Sequence, residues 1–266
     1  MIIKNDQELS ALREGGILLA KILQDLSAFV KPGMTTKQVD DRAERLLIEA
    51  GGTPSFKGYH THGAPAPYPA SLCVSVNSEV VHGIPSERAL KEGDVVGLDI
   101  GMQFKGFFTD SAITVLVKDD NADSLSHRRV SVDYLEVERL ISTTREALYQ
   151  GIGEVRAGIH VGDIGFVIQR YLEDAGLGVV RELVGHGVGR TVHEDPDIPN
   201  WGKKGEGYVL QEGEVVALEP MATSGSHKVK LLSDGWTWAT KDGSLAAHFE
   251  HTIVVTKNGC EIITKI

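Results

Sequence analysis

LKEGDVVGLDIGMQFKGFFTD, residues 90–110, decides how the rest of the chain is read. Val95, Val96 and Leu98 form a short apolar strand that Asp99 interrupts. Lys105-Gly106 is a turn signal, and Phe107 to Val117 reads as the returning strand. A hairpin closed by Phe104-Lys105 or by Lys105-Gly106 puts Asp99 and Asp110 on one face of adjacent strands, opposite or diagonal. A three-residue loop would send them to opposite faces. Two carboxylates on an apolar hairpin repel each other unless a proton or a cation lies between them. The plainer alternative is that Asp99 ends its strand and faces solvent.

Working outward, Asn5 or Asp6 can cap a first helix with apolar residues at helical spacing (Leu9, Leu12, Ile17, Leu18, Ile22, Leu23, Leu26), ending near Pro32-Gly33. Thr35 with Gln38 makes a capping box for a second helix that stops at Gly51-Gly52. Residues 53–70 read as a loop, SLCVSV (71–76) as a strand and Asn77-Ser78 as a turn. KDDNADSLSHRR (118–129) is a polar loop, and helical periodicity returns over 132–152 and 163–175. Short strands with Gly-rich turns follow from Gly185, closing with a hairpin about Lys257-Asn258-Gly259.

The two halves resemble each other. VKPGMTTKQVDDRAERLLIEAGG from Val30 aligns with VRAGIHVGDIGFVIQRYLEDAGL from Val155, and LKEGDVVGLD (90–99) with LQEGEVVALE (210–219). FTDSAITV (108–115) aligns with FEHTIVVT (249–256) across a one-residue gap, and VHGI (81–84) with GHGV (185–188). These matches set Asp99 against Glu219, Asp110 against Glu250 and His82 against His186. A duplicated helix-plus-sheet unit, approximately 1–125 and 126–266, is the expectation, within one domain whose acid pairs meet at the shared interface.

At 266 residues, 41% hydrophobic and 24% charged, the chain suits one large soluble domain or two small ones packed together. A net charge of -10 argues against a nucleic-acid or anionic-membrane surface. Cys73 and Cys260 are too few for a disulfide framework and fit a reducing cytosol. No signal core opens the chain and no run of about 18 apolar residues occurs, so a cytoplasmic location is expected.

Asp99, Asp110, Glu219 and Glu250 converging on a core would cost several kcal/mol per unpaired charge. Two divalent cations cancel four negative charges, and oxygen ligands with one imidazole, His186, suit Mn, Fe, Co or Zn. Such a centre lowers the pKa of water from about 15.7 toward about 7 and polarises a carbonyl, which is hydrolytic chemistry.

VVHGIP (80–85), the Asp99/Asp110 pair, GHGVGRTVHEDP (185–196), ALEPM (217–221) and FEHTIVV (249–255) closely resemble, in order and over essentially the whole chain, the type I methionine aminopeptidases. The resemblance implies the α/β (α+β) pita-bread fold, two related helix-plus-antiparallel-sheet halves about a pseudo-twofold axis with a dinuclear metal site between them. It implies Asp99, Asp110, His186, Glu219 and Glu250 as ligands of two divalent ions (Co, Mn, Fe or Zn), with Asp110 and Glu250 bridging. Glu219 would also shuttle protons, His193 would stabilise the tetrahedral intermediate, and His82 would meet the scissile amide. Tyr59, Tyr68, Cys73 and Trp236 match the family's side-chain pocket. The implied reaction removes initiator methionine from nascent polypeptide N-termini, at the ribosome among other places, when the second residue is small. The implied enzyme is a monomer.

Some positions depart from the family or lack its support. Val192 precedes His193 where relatives often carry Phe, which reshapes the pocket unless a longer loop between His60 and Tyr68 refills it. The segment after Val117 is also longer. His60, His62, His127, His160, His227 and His248 read as structural or exposed, and His251 as either a partner of Glu250 or an outward strand residue. Cys73 reads as pocket wall rather than nucleophile. Gly185, Gly187 and Gly189 lack the Lys-Ser/Thr of a P-loop and read as a turn presenting His186. Glu219 and Glu250 lie too close in sequence for the helical insertion of type II enzymes. The rivals are a prolidase or aminopeptidase P type peptidase, which carries an extra N-terminal domain, and a non-catalytic pita-bread protein that binds peptides or the ribosome. The five intact ligand positions speak against the latter.

Overall fold

A computed structural model describes residues 1–61, 63–118 and 132–265. Asn5 accepts the Glu8 N–H and caps α1 (Asp6–Phe29), and Thr35 and Gln38 form the reciprocal box that opens α2 (Thr36–Glu49). Then come β1 (Thr53–Pro54), β2 (Leu72–Val76), β3 (Glu79–Val81), β4 (Val95–Phe104) and β5 (Phe107–Leu116). The second half has α3 (Val132–Glu154), α4 (Val161–Asp174), β6 (Gly178–Val179), β7 (Gly185–Gly187), β8 (Glu194–Ile198) and β9 (Val215–Leu218). It closes with β10 (Met221–Thr223), β11 (Val229–Leu231), β12 (Trp238–Thr240), β13 (Ala246–His248), β14 (Glu250–Thr256) and β15 (Gly259–Ile262). The expected loop at 53–70 thus begins as a strand, because Thr53 and Pro54 pair with Gln103 and Met102. His62, His127 and the polar loop from residue 119 lie outside the described residues.

Lys105 and Gly106 close the central hairpin at φ 49° and 85°, the positive values of a type I′ turn. Phe104 then pairs with Phe107, Asp99 with Ala112 and Gly101 with Asp110, so the two acids lie diagonally on one face. Both are buried, which removes the alternative of a solvent-facing Asp99.

The main sheet runs β1-β4-β5-β14-β9-β7-β8, with β2 added to β4 and β15 to β14. Its alternation separates two jobs. Val96, Leu98, Ile100 and Met102 point into a core with Leu19, Leu26, Val39 and Leu47 of α1 and α2. In the other half Val216, Leu218, Ile253 and Val255 meet Leu140, Leu148, Ile164 and Ile168 of α3 and α4. Truncating one of these leucines or isoleucines to Ala would cost about 2–5 kcal/mol. These two clusters cover one face of the sheet, and the acids lie on the other.

The halves enter this sheet alike. Gly33 and Gly158, at φ 86° and 85°, end the helix-to-helix turns. Their N–H groups donate to Leu90 O and Leu210 O, both at 2.8 Å. Gly93 N–H donates to Val117 O at 2.9 Å, and Gly213 N–H to Val255 O at 2.8 Å. At the seam between β5 and β14, threonine side chains continue the backbone ladder. Thr252 Oγ1 accepts from Asp110 N at 2.9 Å and donates to Asp110 O at 2.8 Å. Thr114 Oγ1 accepts from His248 N and donates to His248 O, each at 2.8 Å. Among the described residues, no helix is long and apolar enough to cross a membrane.

Candidate active site

Five consecutive strands of the sheet, β4-β5-β14-β9-β7, each bring one of the five expected ligand residues to the same face. One row across the strands reads Cys73, Asp99, Ala112, Glu250. Glu219 joins it, because the preceding Leu218 pairs with His251. The next row holds Asp110, Thr252, Ala217 and His186, linked by the threonine clasp and the pairings of Ala217. Ala112 and Ala217 are small residues among these groups, leaving the space above them to four carboxylates and an imidazole.

Burial makes that space unfavourable to four ionised carboxylates unless protons or cations offset their charge. Burial, then Asp110 and Glu219, holds Asp99 well above the usual carboxylate range. Burial pushes Asp110 and Glu219 up to about 8, with Glu219 adding to the effect on Asp110. Glu250 is raised by burial and by its three acidic neighbours. Asp99 Oδ1, Asp110 Oδ1 and Glu250 Oε1 are buried without a hydrogen-bond partner. Ligand atoms of Asp110, His186 and Glu250 lie within 4.8 Å of one another. His186 Nδ1 is 2.9 Å from Gly187 O, and a carbonyl can only accept, so Nδ1 carries the hydrogen and Nε2 presents a lone pair. Acid oxygens without partners beside such an imidazole are a donor set for hard or borderline divalent cations.

The cluster lines a cavity of about 590 Å³ together with Tyr59, Tyr68, Cys73, His82, His193 and Trp236. All the residues expected of the site therefore converge. Tyr68 is 2% exposed, and its hydroxyl donates to Gly83 O at 2.9 Å, joining the pocket loop to the turn that carries His82. His82 itself sits at φ 58°, an uncommon conformation for a side-chain-bearing residue and a strain concentrated at functional positions. Gly83 allows the turn to approach β2, since a Cβ there would lie 2.3 Å from Val74 O. The His193 ring lies 4.3 Å from that of His186 and 5.0 Å from that of Tyr59. Burial lowers His82 and His186 to about 4 and His193 to about 3, so all three are neutral near pH 7. Burial, then Asp99, keeps the Cys73 thiol protonated, in keeping with a wall rather than a nucleophile.

Trp236 Nε1–H donates to Ala66 O at 3.0 Å, and Pro65 packs where Gly235 has no side chain. The loop after Tyr59 thus reaches the cavity, and Thr61, Gly63 and Ala64 line it. Val192 is 5% exposed and packs with Phe56, Tyr68, Ala70, Cys73 and Trp236 without lining the cavity. Thr61, Gly63 and Ala64 of that loop thus face the cavity, while Val192 packs behind its Tyr68, Cys73 and Trp236 wall.

Of the other histidines, His60 is exposed and His160 precedes α4 as its N-cap residue. His251 faces Tyr149 and Thr264. His248, read from sequence as structural or exposed, is buried. It is 3% exposed, and its Nε2 lies 3.3 Å from Glu219 Oε2. In sequence Phe249 alone separates it from Glu250, which opens β14.

Residues 10–257 match the model of metallopeptidase family M24. Methionine aminopeptidase 1 of Bacillus subtilis (strain 168) is 42% identical over 266 residues, which is 100% of each chain. A methionine aminopeptidase of Clostridium perfringens is 43% identical over 266 residues, 100% of this chain and 99% of its own. The crystal structure of a methionine aminopeptidase from Thermotoga maritima aligns with a TM-score of 0.89 at 39% identity, covering 100% of both chains.

Proposed function

Because the chain belongs to metallopeptidase family M24, with the pita-bread fold of those enzymes, we propose that it removes N-terminal methionine by metal-dependent hydrolysis of the first peptide bond. The observation that carries this reading is a set of partnerless, buried acid oxygens on the wall of an apolar, aromatic cavity. Asp99, Asp110, His186, Glu219 and Glu250 would hold two divalent cations, whose double charges would balance the four carboxylates. Co, Mn, Fe and Zn all suit one imidazole with oxygen donors. When bound, the cations neutralise the acids, polarise the scissile carbonyl and make water acidic enough to ionise near neutral pH.

The remaining work falls to side chains. Tyr59, Tyr68, Cys73 and Trp236 receive the methionine side chain, whose thioether gains about 0.3–1.5 kcal/mol from each aromatic contact. His82 holds the scissile amide by a hydrogen bond. His193 donates to the carbonyl oxygen as negative charge develops there, an interaction that strengthens toward the transition state. Glu219 takes a proton from the attacking water on a carboxylate oxygen and delivers it to the leaving amine.

The substrates are nascent polypeptides with a small second residue, met in the cytoplasm and at the ribosome, and the enzyme is a monomer. Its single catalytic domain is a duplicated unit, residues 1–125 and 126–266, which the matched turns at Gly33 and Gly158 support. The test is hydrolysis of Met-Ala-Ser, Met-Gly-Ser and Ala-Pro peptides by metal-stripped protein given each divalent ion in turn. Release of Met from the first two, with Ala-Pro untouched, is expected. Cleavage of Ala-Pro alone would replace this reading with the proline-directed one.

A further inference from the structure

His248 is a buried imidazole to which the reaction above gives no part. It ends β13, where it pairs with Met221 of β10, and Thr114 holds its backbone N–H and carbonyl. Glu219 is held as firmly: buried Asn200 donates through Nδ2 to its main-chain carbonyl at 3.0 Å. The two side chains therefore meet as fixed neighbours. Glu219 Oε2 lies 3.3 Å from His248 Nε2, and Oε1 lies 3.6 Å from His186 Nε2. The first separation has hydrogen-bond length, yet the ring nitrogen is misaligned and Nε2 stays unpaired in a buried setting.

We propose that His248 is a positioning residue for Glu219: its Nε2–H donates to Oε2 and fixes the carboxylate with Oε1 directed into the cavity. This rests on the role given to Glu219 above. Without that donor the carboxylate keeps its place in the chain but loses its orientation, so both cation binding and proton delivery suffer. Outer hydrogen bonds to ligating groups are typically worth about 10- to 100-fold in metal affinity or activity.

The experiment compares His248→Gln, which offers an amide donor, with His248→Leu and His248→Met, which offer none. Manganese(II) is titrated calorimetrically into metal-stripped protein without substrate, and kcat and KM are measured separately on Met-Ala-Ser. The donorless variants should bind manganese and turn over about 10- to 100-fold less well with KM little changed, while Gln stays within about threefold of wild type. Wild-type binding and kcat in a folded donorless variant would overturn the proposal. Equal losses in Gln and the donorless variants would also overturn it, because ring packing would then be the cause. If wild type binds manganese but leaves Met-Ala-Ser intact, the peptidase reading fails, while the calorimetric comparison still decides the role of His248.

Discussion

Replacing Thr252 with Val tests whether the seam between the halves holds the site in place. The substitution keeps the β-branched shape and removes one oxygen. That oxygen accepts from Asp110 N and donates to Asp110 O, at 2.9 and 2.8 Å, and Thr252 is 0% exposed. Two backbone groups then lose their partner, at about 1–3 kcal/mol each. Partial relaxation of the seam should bring the total to about 2–4 kcal/mol, or roughly 5–15 °C in Tm for a chain of this size. Asp110 is one of the acids assigned to both cations, so manganese affinity of the stripped protein should fall with Tm. Differential scanning calorimetry measures the first effect and titration calorimetry the second. Thr252→Ser keeps the hydroxyl, loses a methyl group, and should cost only about 1 kcal/mol. Equal shifts in the Val and Ser variants would refute the reasoning, since the hydroxyl would then carry none of the effect.

Asp110→Asn should abolish Met-Ala-Ser hydrolysis and lower the manganese content of the purified protein; near wild-type turnover at full metal content would rule out Asp110 as a shared ligand. His193→Ala should cut kcat by roughly 10² to 10³ with metal content intact, the usual loss for one oxyanion donor. Metal loss in that variant would instead mark His193 as a ligand. Val192→Phe forces a larger ring into a filled cluster and should cost about 1–3 kcal/mol, seen as a lower Tm, with the preference for Met-Ala over Leu-Ala peptides unchanged. Sharper methionine selectivity at unchanged Tm would show that residue 192 faces the substrate after all.

Local chemistry made much of this protein legible from its sequence. The Asn5 cap, the Thr35/Gln38 box and the Lys105-Gly106 turn each act within a few residues, so their readings needed no tertiary knowledge. The five residues that converge on the cavity, proposed here as metal ligands, could be picked out for another reason: the similarity of the two halves and the family motifs mark them by residue type and order. What side chains meet across the seam was not legible. Thr252 reaches Asp110 over 142 positions and Thr114 reaches His248 over 134, through a strand register that a one-residue slip would invert. The same long-range pairing placed the unassigned His248 against Glu219, and tertiary packing set Val192 among Phe56, Tyr68 and Trp236 beside the cavity that the loop after Tyr59 lines. Residue types and order along the chain thus determined which chemistry this protein carries. The tertiary structure decided which atoms face one another, because hydrogen bonds and packing act through distance in space rather than separation in sequence.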